Sequence, residues 1–254
     1  IENDNASVTG NQINGVANVG VTGNDEQIVF MGNHILGFRD TGTDISDTDN
    51  SGVPFDHFKV GITSWGGDHV IANNSVDYGI DIVANNTVIS GNNFGSDLSN
   101  GSSILGGNDL TVTGNFFQNG SAEDAEILFN GSLRMTFVGN RSTDHLLRTV
   151  GAPDSLFSGN FIGGFNDVGS IFIDTTSTDC IVSNNRIFGD VSYAIYAITT
   201  QGPRTVIVGN QVDADTGHSG TGGLQIQGAA TDSIVMGNLL AGSLNSVSLL
   251  AASL

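Results

Sequence analysis

The sequence predicts an all-β fold, a β-solenoid of about ten coils, and three observations lead to this prediction. First, a unit that consists of an apolar residue, any one residue, Gly or Asn, and then Asn recurs along nearly the whole chain. Second, successive copies lie 18 to 28 residues apart, with one exceptional gap of 41 residues. Third, the runs between them are short, rich in β-branched residues and broken by 36 glycines, which argues against helices. Because a propeller blade needs roughly 40 residues, this period favours a solenoid.

The asparagine of each unit is predicted to be architectural. Asn tolerates the left-handed backbone conformation at little cost, so one Asn per coil is expected to make the bend between two strands. Stacked coils then bring the side-chain amides together, where they are expected to hydrogen-bond to one another. A catalytic site would not need a copy in every coil, so we interpret the set as structural. The predicted ladder consists of Asn11, Asn33, Asn74, Asn92, Asn115, Asn140, Asn160, Asn185, Asn210 and Asn238.

Four copies show the unit most clearly: VISGNNF (88–94), TVTGNFF (111–117), LFSGNFI (156–162) and VIVGNQV (206–212). This signature resembles that of the right-handed parallel β-helix proteins of the pectate-lyase-like superfamily, which includes pectinases, alginate lyases, epimerases and phage tailspikes. The resemblance covers almost the entire chain and is specific for fold rather than activity. It implies a single-stranded right-handed parallel β-helix that acts on or binds polysaccharide, and, from the tailspikes, a homotrimer.

The composition narrows the classes of partner. The 254 residues include 26 acidic and only 7 basic side chains, giving a formal net charge of −19. Such a surface repels nucleic acid and anionic lipid, so neither is an expected partner. No apolar run approaches the roughly 20 residues of a membrane span, so membrane insertion is not expected. The charge suits an extracellular, cell-surface or virion-surface protein, and the single cysteine, Cys180, is predicted to lie in the core.

The chain is predicted to form one domain, residues 1–254. It opens on IENDNASV without Met and closes on the apolar SVSLLAASL, so we expect a segment of a longer or processed chain. The gap of 41 residues contains a long acidic insertion, residues 37–57, and long excursions from a rigid scaffold are where function is most often placed.

One strand of each coil can be aligned by its alternation of side chains. Alternation places Ile80 with Ile82, Ile127 with Phe129, Ile171 with Ile173, Ile195 with Ala197, and Leu224 with Ile226 in the core. The outward column then contains Asp81, Leu128, Phe172, Tyr196 and Gln225, with Asp174, Ile198 and Gln227 beside it.

The apolar members of that outward column require an explanation, because a solvated face would be polar. One explanation is packing against identical subunits. The other is a platform on which sugar rings stack, with Phe172, Asp174 and Tyr196 as substrate-binding residues. Leu and Ile suit a dry contact better than a sugar, so subunit packing is favoured.

The acidic insertion contains a candidate calcium site. Asp47-Thr48-Asp49-Asn50-Ser51-Gly52 has the spacing of a calcium loop, which brings oxygen ligands from alternate positions around a tight Gly turn. The usual acidic residue at the twelfth position is replaced by Phe58, and Asp56 is a substitute. The candidate ligands are Asp47, Asp49, Ser51 and Asp56, and the alternative is a solvated acidic loop.

Candidate catalytic residues lie in and after the insertion. Two carboxylates for glycoside hydrolysis need to lie roughly 5 to 9.5 Å apart. Coils stack at roughly 4.8 Å, so acids on adjacent or alternate coils, such as Asp81 and Glu126, are candidates. A lyase or epimerase instead needs a base and a positive charge or calcium, for which His57 and Lys59 are candidates, with Arg39 holding the uronate. The predicted catalytic set is Asp56, His57, Lys59, Asp81 and Glu126.

Two functional classes remain open from the sequence. The first is a polysaccharide-acting protein, with hydrolysis of a neutral or lightly charged glycan favoured over elimination because the net charge of −19 opposes a polyanion. The second is a non-catalytic fibre, sheath or adhesin component that acts through self-assembly, either as a trimer or through end-to-end or lateral contacts. Whether the protein is an enzyme stays undecided, and calcium is the one cofactor predicted.

Overall fold

The chain folds into a parallel β-solenoid, which confirms the predicted fold class. The computed structural model describes residues 5–14, 19–23, 27–36, 60–77, 79–95, 103–118, 126–143, 146–163, 170–189, 196–214, 222–241 and 245–249. Its strands form three parallel sheets with ten strands in each, and each coil contributes one strand to every sheet. No helix long and apolar enough to cross a membrane occurs in these ranges.

We name the sheets in the order in which a coil visits them. Sheet I contains β1 (Ser7–Thr9), β4 (Val29–Met31), β7 (Val70–Ala72), β10 (Val88–Ser90), β13 (Thr111–Thr113), β16 (Thr136–Val138), β19 (Leu156–Ser158), β22 (Ile181–Ser183), β25 (Val206–Val208) and β28 (Ile234–Met236). Sheet II contains β2 (Gln12–Asn14), β5 (His34–Leu36), β8 (Ser75–Val76), β11 (Asn93–Phe94), β14 (Phe116–Gln118), β17 (Arg141–Thr143), β20 (Phe161–Gly163), β23 (Arg186–Gly189), β26 (Gln211–Ala214) and β29 (Leu239–Ala241). Sheet III contains β3 (Val19–Gly23), β6 (Val60–Gly67), β9 (Gly79–Asn85), β12 (Ser103–Gly106), β15 (Glu126–Asn130), β18 (Leu146–Val150), β21 (Ile171–Ile173), β24 (Tyr196–Thr200), β27 (Gly222–Ile226) and β30 (Asn245–Leu249).

The core runs along the solenoid axis as columns of stacked side chains. Because alternate residues of a strand point to opposite faces, the three-residue strands of sheet I direct the central side chain into the core. In sheet I that position holds residues such as Ile89, Val112 and Phe137, all fully buried and aligned in register. Phenylalanines from sheets I and III meet inside, with the rings of Phe129 and Phe137 centred 5.3 Å apart, edge to face. Cys180 is fully buried, as predicted.

The asparagines form a continuous ladder at the corner between sheets I and II. Asn140 shows the pattern: its Oδ1 accepts hydrogen bonds from the backbone N–H and the Nδ2 of Asn115, at 2.9 and 3.0 Å. Its Nδ2 donates to the carbonyl oxygen of Val112 at 2.9 Å and to Oδ1 of Asn160 at 3.3 Å. The same bonds join all ten asparagines, from Asn11 to Asn238.

One detail of the predicted bend is wrong. The left-handed residue at this corner is the one before the ladder asparagine, for example Gly139 with φ of 65° or Asn73 with φ of 54°. The ladder asparagines themselves do not have positive φ. The two positions have different roles. The ladder residue directs its side-chain amide into the stack of asparagines, and the residue before it, usually Gly, adopts the left-handed conformation that makes the turn.

The predicted inward positions of sheet III are correct in most coils, but the register of β24 is wrong. Ile80, Ile82, Ile127, Phe129, Ile171, Ile173, Ala197 and Leu224 are buried as predicted, whereas Ile195 lies outside the described residues. Ile198 was expected to face outward, yet it is fully buried and pairs with Ile171 and Leu224 in the core column. The observed register is favoured because Ile198 buries more apolar volume in the core column than Ala197 would. In this register Thr199 is the partner of Phe172.

Candidate functional site

The outer face of sheet III holds the described part of the predicted site. Strand registers set an outward column that runs through Asp81, Leu128, Arg148, Phe172 and Thr199. The coil containing Arg148 did not enter the sequence alignment, and it places a cation between Leu128 and Phe172. The predicted apolar column is therefore interrupted, which weakens the case for a dry lateral contact along it.

Trp65 and Val83 are exposed neighbours at one end of this face. They pair directly in register between β6 and β9, and each side chain is 57% exposed. The two side chains form an open apolar platform, and Trp65 is the only tryptophan of the chain. Tryptophan combines a large apolar surface with an N–H donor, so an exposed one on a rigid strand is suited to a ligand with both apolar and polar parts.

Asp81 lies next to this platform on the same face. It precedes Val83 by two residues in β9, and its Cα is about 8 Å from that of Trp65, given the spacing of strands and residues in a sheet. The carboxyl is half-buried, and its Oδ1 is buried without a hydrogen-bond partner among the described residues. Burial raises the pKa of Asp81 above its ordinary value of 3.8, because the charged form loses solvation.

A buried histidine fixes the backbone of the tryptophan. The ring of His69 is fully buried, and its Nε2 lies 2.9 Å from the carbonyl oxygen of Trp65. Since a carbonyl oxygen only accepts hydrogen bonds, Nε2 carries the proton that is donated. The turn between the two residues uses positive φ at Gly66 (110°) and Asp68 (57°). The exposed tryptophan is thus attached to a defined turn rather than to an irregular loop.

Glu126 is distant from Asp81. Asp81 pairs with Ile104, which pairs with Leu128, so the two acids lie two coils apart and are offset by two residues along the strand. Their Cα atoms are therefore about 12 Å apart. Glu126 instead faces Arg148, whose guanidinium nitrogen is 3.4 Å from Oε1. The described residues do not bring the two acids together as a facing pair.

Of the predicted sugar-binding residues, Phe172 lies further along the face, whereas Tyr196 was expected to face outward but precedes the core residue Ile198 by two positions in β24 and so lies on the same side of the strand as Ile198. Phe172 and Tyr196 are both half-buried, and the ring of Tyr196 covers Gly222 of the next coil, where a Cβ would collide with it. Asp174 accepts hydrogen bonds from the hydroxyls of Thr176 and Ser177. Burial tends to raise the pKa of Asp174, but these bonds and backbone N–H donors hold it below 3.8. Its oxygens are already occupied by the protein, which favours a structural role.

The remaining predicted site residues lie outside the described residues: Arg39, Asp47, Asp49, Ser51, Asp56, His57 and Lys59. Within the described ranges, no three or more His, Cys, Asp or Glu side chains are grouped to hold a metal ion. The calcium site predicted in the acidic insertion stays a prediction.

Trp65 is the site residue that the sequence analysis missed. The signal was present, because VGITSWGG (60–67) alternates with Ile62 and Ser64 buried, which places Trp65 outward. Strand β6 continues to Gly67, so Trp65 lies within a regular strand.

Comparisons with known proteins find similarity among solved structures. No family model and no curated protein matches the sequence. Among solved structures, the chain is similar to the Streptococcus pneumoniae surface protein and adhesin PfbA, with 11% sequence identity and a TM-score of 0.46 over 95% of this chain and 91% of that one. At that identity and score, the similarity says nothing about what this chain does.

Proposed function

We propose that the protein binds an extended polysaccharide on the outer face of sheet III, at Trp65, Val83 and Asp81. The observation that carries this proposal is the 57% exposed Trp65 on a regular strand beside a half-buried carboxyl group. A sugar ring presents apolar C–H groups on its face and hydroxyls at its edge. An indole face with a nearby carboxyl offers partners for both.

The shape of the solenoid supports a polymeric ligand. Sheet III presents an outer surface ten strands long, or about 45 Å at the usual strand spacing. The acidic insertion, residues 37–57, precedes β6, the strand that carries Trp65, in the sequence. Calcium bound by that insertion would add a cation for the ligand's oxygens. The net charge of −19 favours a neutral or lightly charged glycan and an extracellular, cell-surface or virion-surface setting.

Asp81 also supplies the group that glycoside cleavage would need. A carboxyl whose pKa is raised by burial keeps its proton to higher pH and is suited to protonate a leaving oxygen. The described residues offer it no second facing carboxylate, so the base or nucleophile would come from the insertion, where Asp56 is the candidate. Hydrolysis with Asp81 as the acid is the catalytic form of this proposal.

Tryptophan fluorescence tests the binding proposal directly, because Trp65 is the single tryptophan. The folded protein is titrated with neutral and acidic polysaccharides, with and without calcium. We expect a saturable change in emission with at least one neutral or lightly charged glycan. No change across the panel would exclude the site.

A product assay separates binding from catalysis in the same samples. Reducing ends report hydrolysis and unsaturated ends report elimination. Product that disappears in Asp81→Asn would establish Asp81 as essential to catalysis. Binding without product would establish a non-catalytic glycan-binding protein and remove the catalytic form of the proposal.

A further inference from the structure

The outer face of sheet II carries a column of alternating phenylalanine and arginine side chains. Phe116, Arg141, Phe161 and Arg186 are consecutive register partners in four adjacent coils. The guanidinium of Arg141 lies 5.3 Å from the ring centroids of both Phe116 and Phe161. That of Arg186 lies 5.7 Å from the ring of Phe161. Each guanidinium is therefore in cation–π contact with at least one ring.

A neighbouring position supports the column. The rings of Phe161 and Phe188 are centred 4.6 Å apart. Phe188 occupies the space above Gly163 in the adjacent coil, where an added Cβ would come within 2.7 Å of its ring. The absence of a side chain at Gly163 thus lets Phe188 pack against Phe161. This packing restricts the ring against which both arginines lie.

The two arginines are the unpaired cations of the described surface. Five arginines lie in the described ranges, and three of them, Arg134, Arg148 and Arg204, form ion pairs with carboxylates. Arg141 and Arg186 are exposed, and no described carboxylate lies within the 4.0 Å ion-pair distance of either. In a chain of net charge −19, these two cations concentrate positive charge in one column, and the described acid Asp213, the register partner of Phe188, lies about 8 Å from Arg186 between Cα atoms.

Stacking also determines what the column offers to a ligand. A guanidinium that lies over a ring keeps its N–H groups at its own edge, where they can make paired bonds to a carboxylate. The edge of an aromatic ring carries partial positive charge as well. The exposed edges of the column are consequently all favourable to an anion, and cation–π contact orders the arginine side chains before binding.

We propose that this Phe–Arg column binds the carboxylates of a sparsely charged acidic polysaccharide. Arg141 and Arg186 lie two coils apart, or about 10 Å, which is comparable to two sugar rings in an extended chain. A glycan with one carboxylate per disaccharide can therefore engage both. Salt screens charges beyond about 8 Å at physiological ionic strength, so the two arginines contribute most to the electrostatic potential that a ligand meets at the column. A densely charged polymer would also meet the many acids elsewhere on the surface, and is disfavoured.

This site does not depend on the proposed site on sheet III. The two surfaces face different directions on the solenoid, and Trp65 takes no part in the Phe–Arg column. Failure of one proposal therefore leaves the other intact. A protein with both sites would hold two glycan chains, or two parts of one chain, and gain avidity from a single rigid body.

The test measures affinity for hyaluronan, which carries one carboxylate per disaccharide, with dextran as a neutral polymer and polyglutamate as an acidic peptide. The double variant Arg141→Gln/Arg186→Gln is compared with Arg134→Gln/Arg204→Gln, which removes the same charge from paired arginines. We expect wild type to bind hyaluronan, and the first variant to bind about tenfold more weakly or worse, because it loses the charge-assisted hydrogen bonds of both guanidinium groups. The second variant should bind normally.

The outcomes separate clearly. No hyaluronan binding by wild type, or equal loss in both double variants, would overturn the proposal. Arginine-dependent binding of polyglutamate but not hyaluronan would replace the glycan by an acidic peptide. Should the glutamine variant fail to fold, Arg141→Lys/Arg186→Lys keeps the charge without the flat, paired donors. Weaker binding by this lysine variant supports the column, and wild-type affinity would reduce the site to unspecific charge.

Discussion

The asparagine corner and the outer face of sheet III are built on the same coils but differ in every chemical respect. At the corner, each coil places an asparagine, and the eight inner ones, from Asn33 to Asn210, are buried and hydrogen-bonded to the coils on either side, as Asn140 shows. On the outer face, one column contains Asp81, Ile104, Leu128, Arg148 and Phe172, and Oδ1 of Asp81 has no described partner. The position that repeats the same residue type thus has its hydrogen bonds satisfied, whereas the positions that vary between coils carry exposed groups or groups without a hydrogen-bond partner.

This difference indicates where stability and function reside. A buried amide without partners costs free energy, so each coil must present an asparagine that its neighbours can bond. An outward position has no such requirement and is open to selection for a ligand. Substitutions at the corner should therefore change unfolding, and substitutions on the outer face should change binding.

The largest effect is expected from Asn140→Ala. The change leaves the backbone N–H and Nδ2 of Asn115 and the carbonyl oxygen of Val112 without their partners in a buried corner. We expect the free energy of unfolding to fall by about 3–5 kcal/mol, measured by denaturant titration. Asn11→Ala is the control, since Asn11 is exposed in the first described coil. Equal losses in the two variants would contradict the account of the ladder.

Two aspartates on sheet III should respond to pH in opposite directions. The pKa of Asp81 is raised by burial, so its ionisation destabilises the fold as pH rises from 3.8 through the folded value. Asp81→Asn should therefore be more stable than wild type at pH 7, and this gain should vanish below pH 3.8. The pKa of Asp174 is lowered by its hydrogen bonds, so Asp174→Asn should be less stable at pH 7, with the loss disappearing in acid. Melting curves from pH 3 to 8 would reveal both trends, and a shared sign would refute the assignment.

A smaller and stabilising effect is expected in sheet II. The hydroxyl of Ser142 is buried without a hydrogen-bond partner, between Phe117 and Ile162 in the core column. Ser142→Ala removes the unsatisfied group and should raise the free energy of unfolding by about 1 kcal/mol. Ser132→Ala is the matched control, because the Ser132 hydroxyl donates to the carbonyl oxygen of Leu105 at 2.7 Å and its loss should destabilise. A destabilised Ser142→Ala would indicate a partner for that hydroxyl.

The smallest effect is expected at the corner between sheets III and I. Asp109 and Arg134 occupy left-handed positions there and form a two-bond ion pair, with both bonds at 2.7 Å. Both side chains are exposed, so Asp109→Asn should lower the melting temperature only slightly, and 1 M salt should remove the difference. A large, salt-resistant loss would mean that this corner contributes far more than exposed ion pairs usually do.

The asparagine corner could be predicted from the sequence because every coil needs the same side-chain hydrogen bonds there and meets that need with the same residue type. The corner between sheets III and I was not predicted, because its left-handed turn is made by more than one residue type. The turn residues in successive coils are Asp68, Asn86, Asp109, Arg134 and Asp154. The register of β24 was misread because the segment before it varies in length, whereas register is set by pairing with Ile171 and Leu224. The Phe–Arg column was missed since its members lie 20 to 25 residues apart and become neighbours only when the coils stack.

The central claim is that the irregular outer face of sheet III, rather than the repeat, binds the ligand. The most direct measurement is the calorimetric affinity of Trp65→Ala for the glycan that changes wild-type fluorescence, together with its unfolding midpoint. We predict an affinity at least about tenfold weaker, since aromatic anchors commonly contribute more than 1.4 kcal/mol, and a nearly unchanged midpoint because the side chain is 57% exposed. Wild-type affinity in Trp65→Ala would contradict the claim.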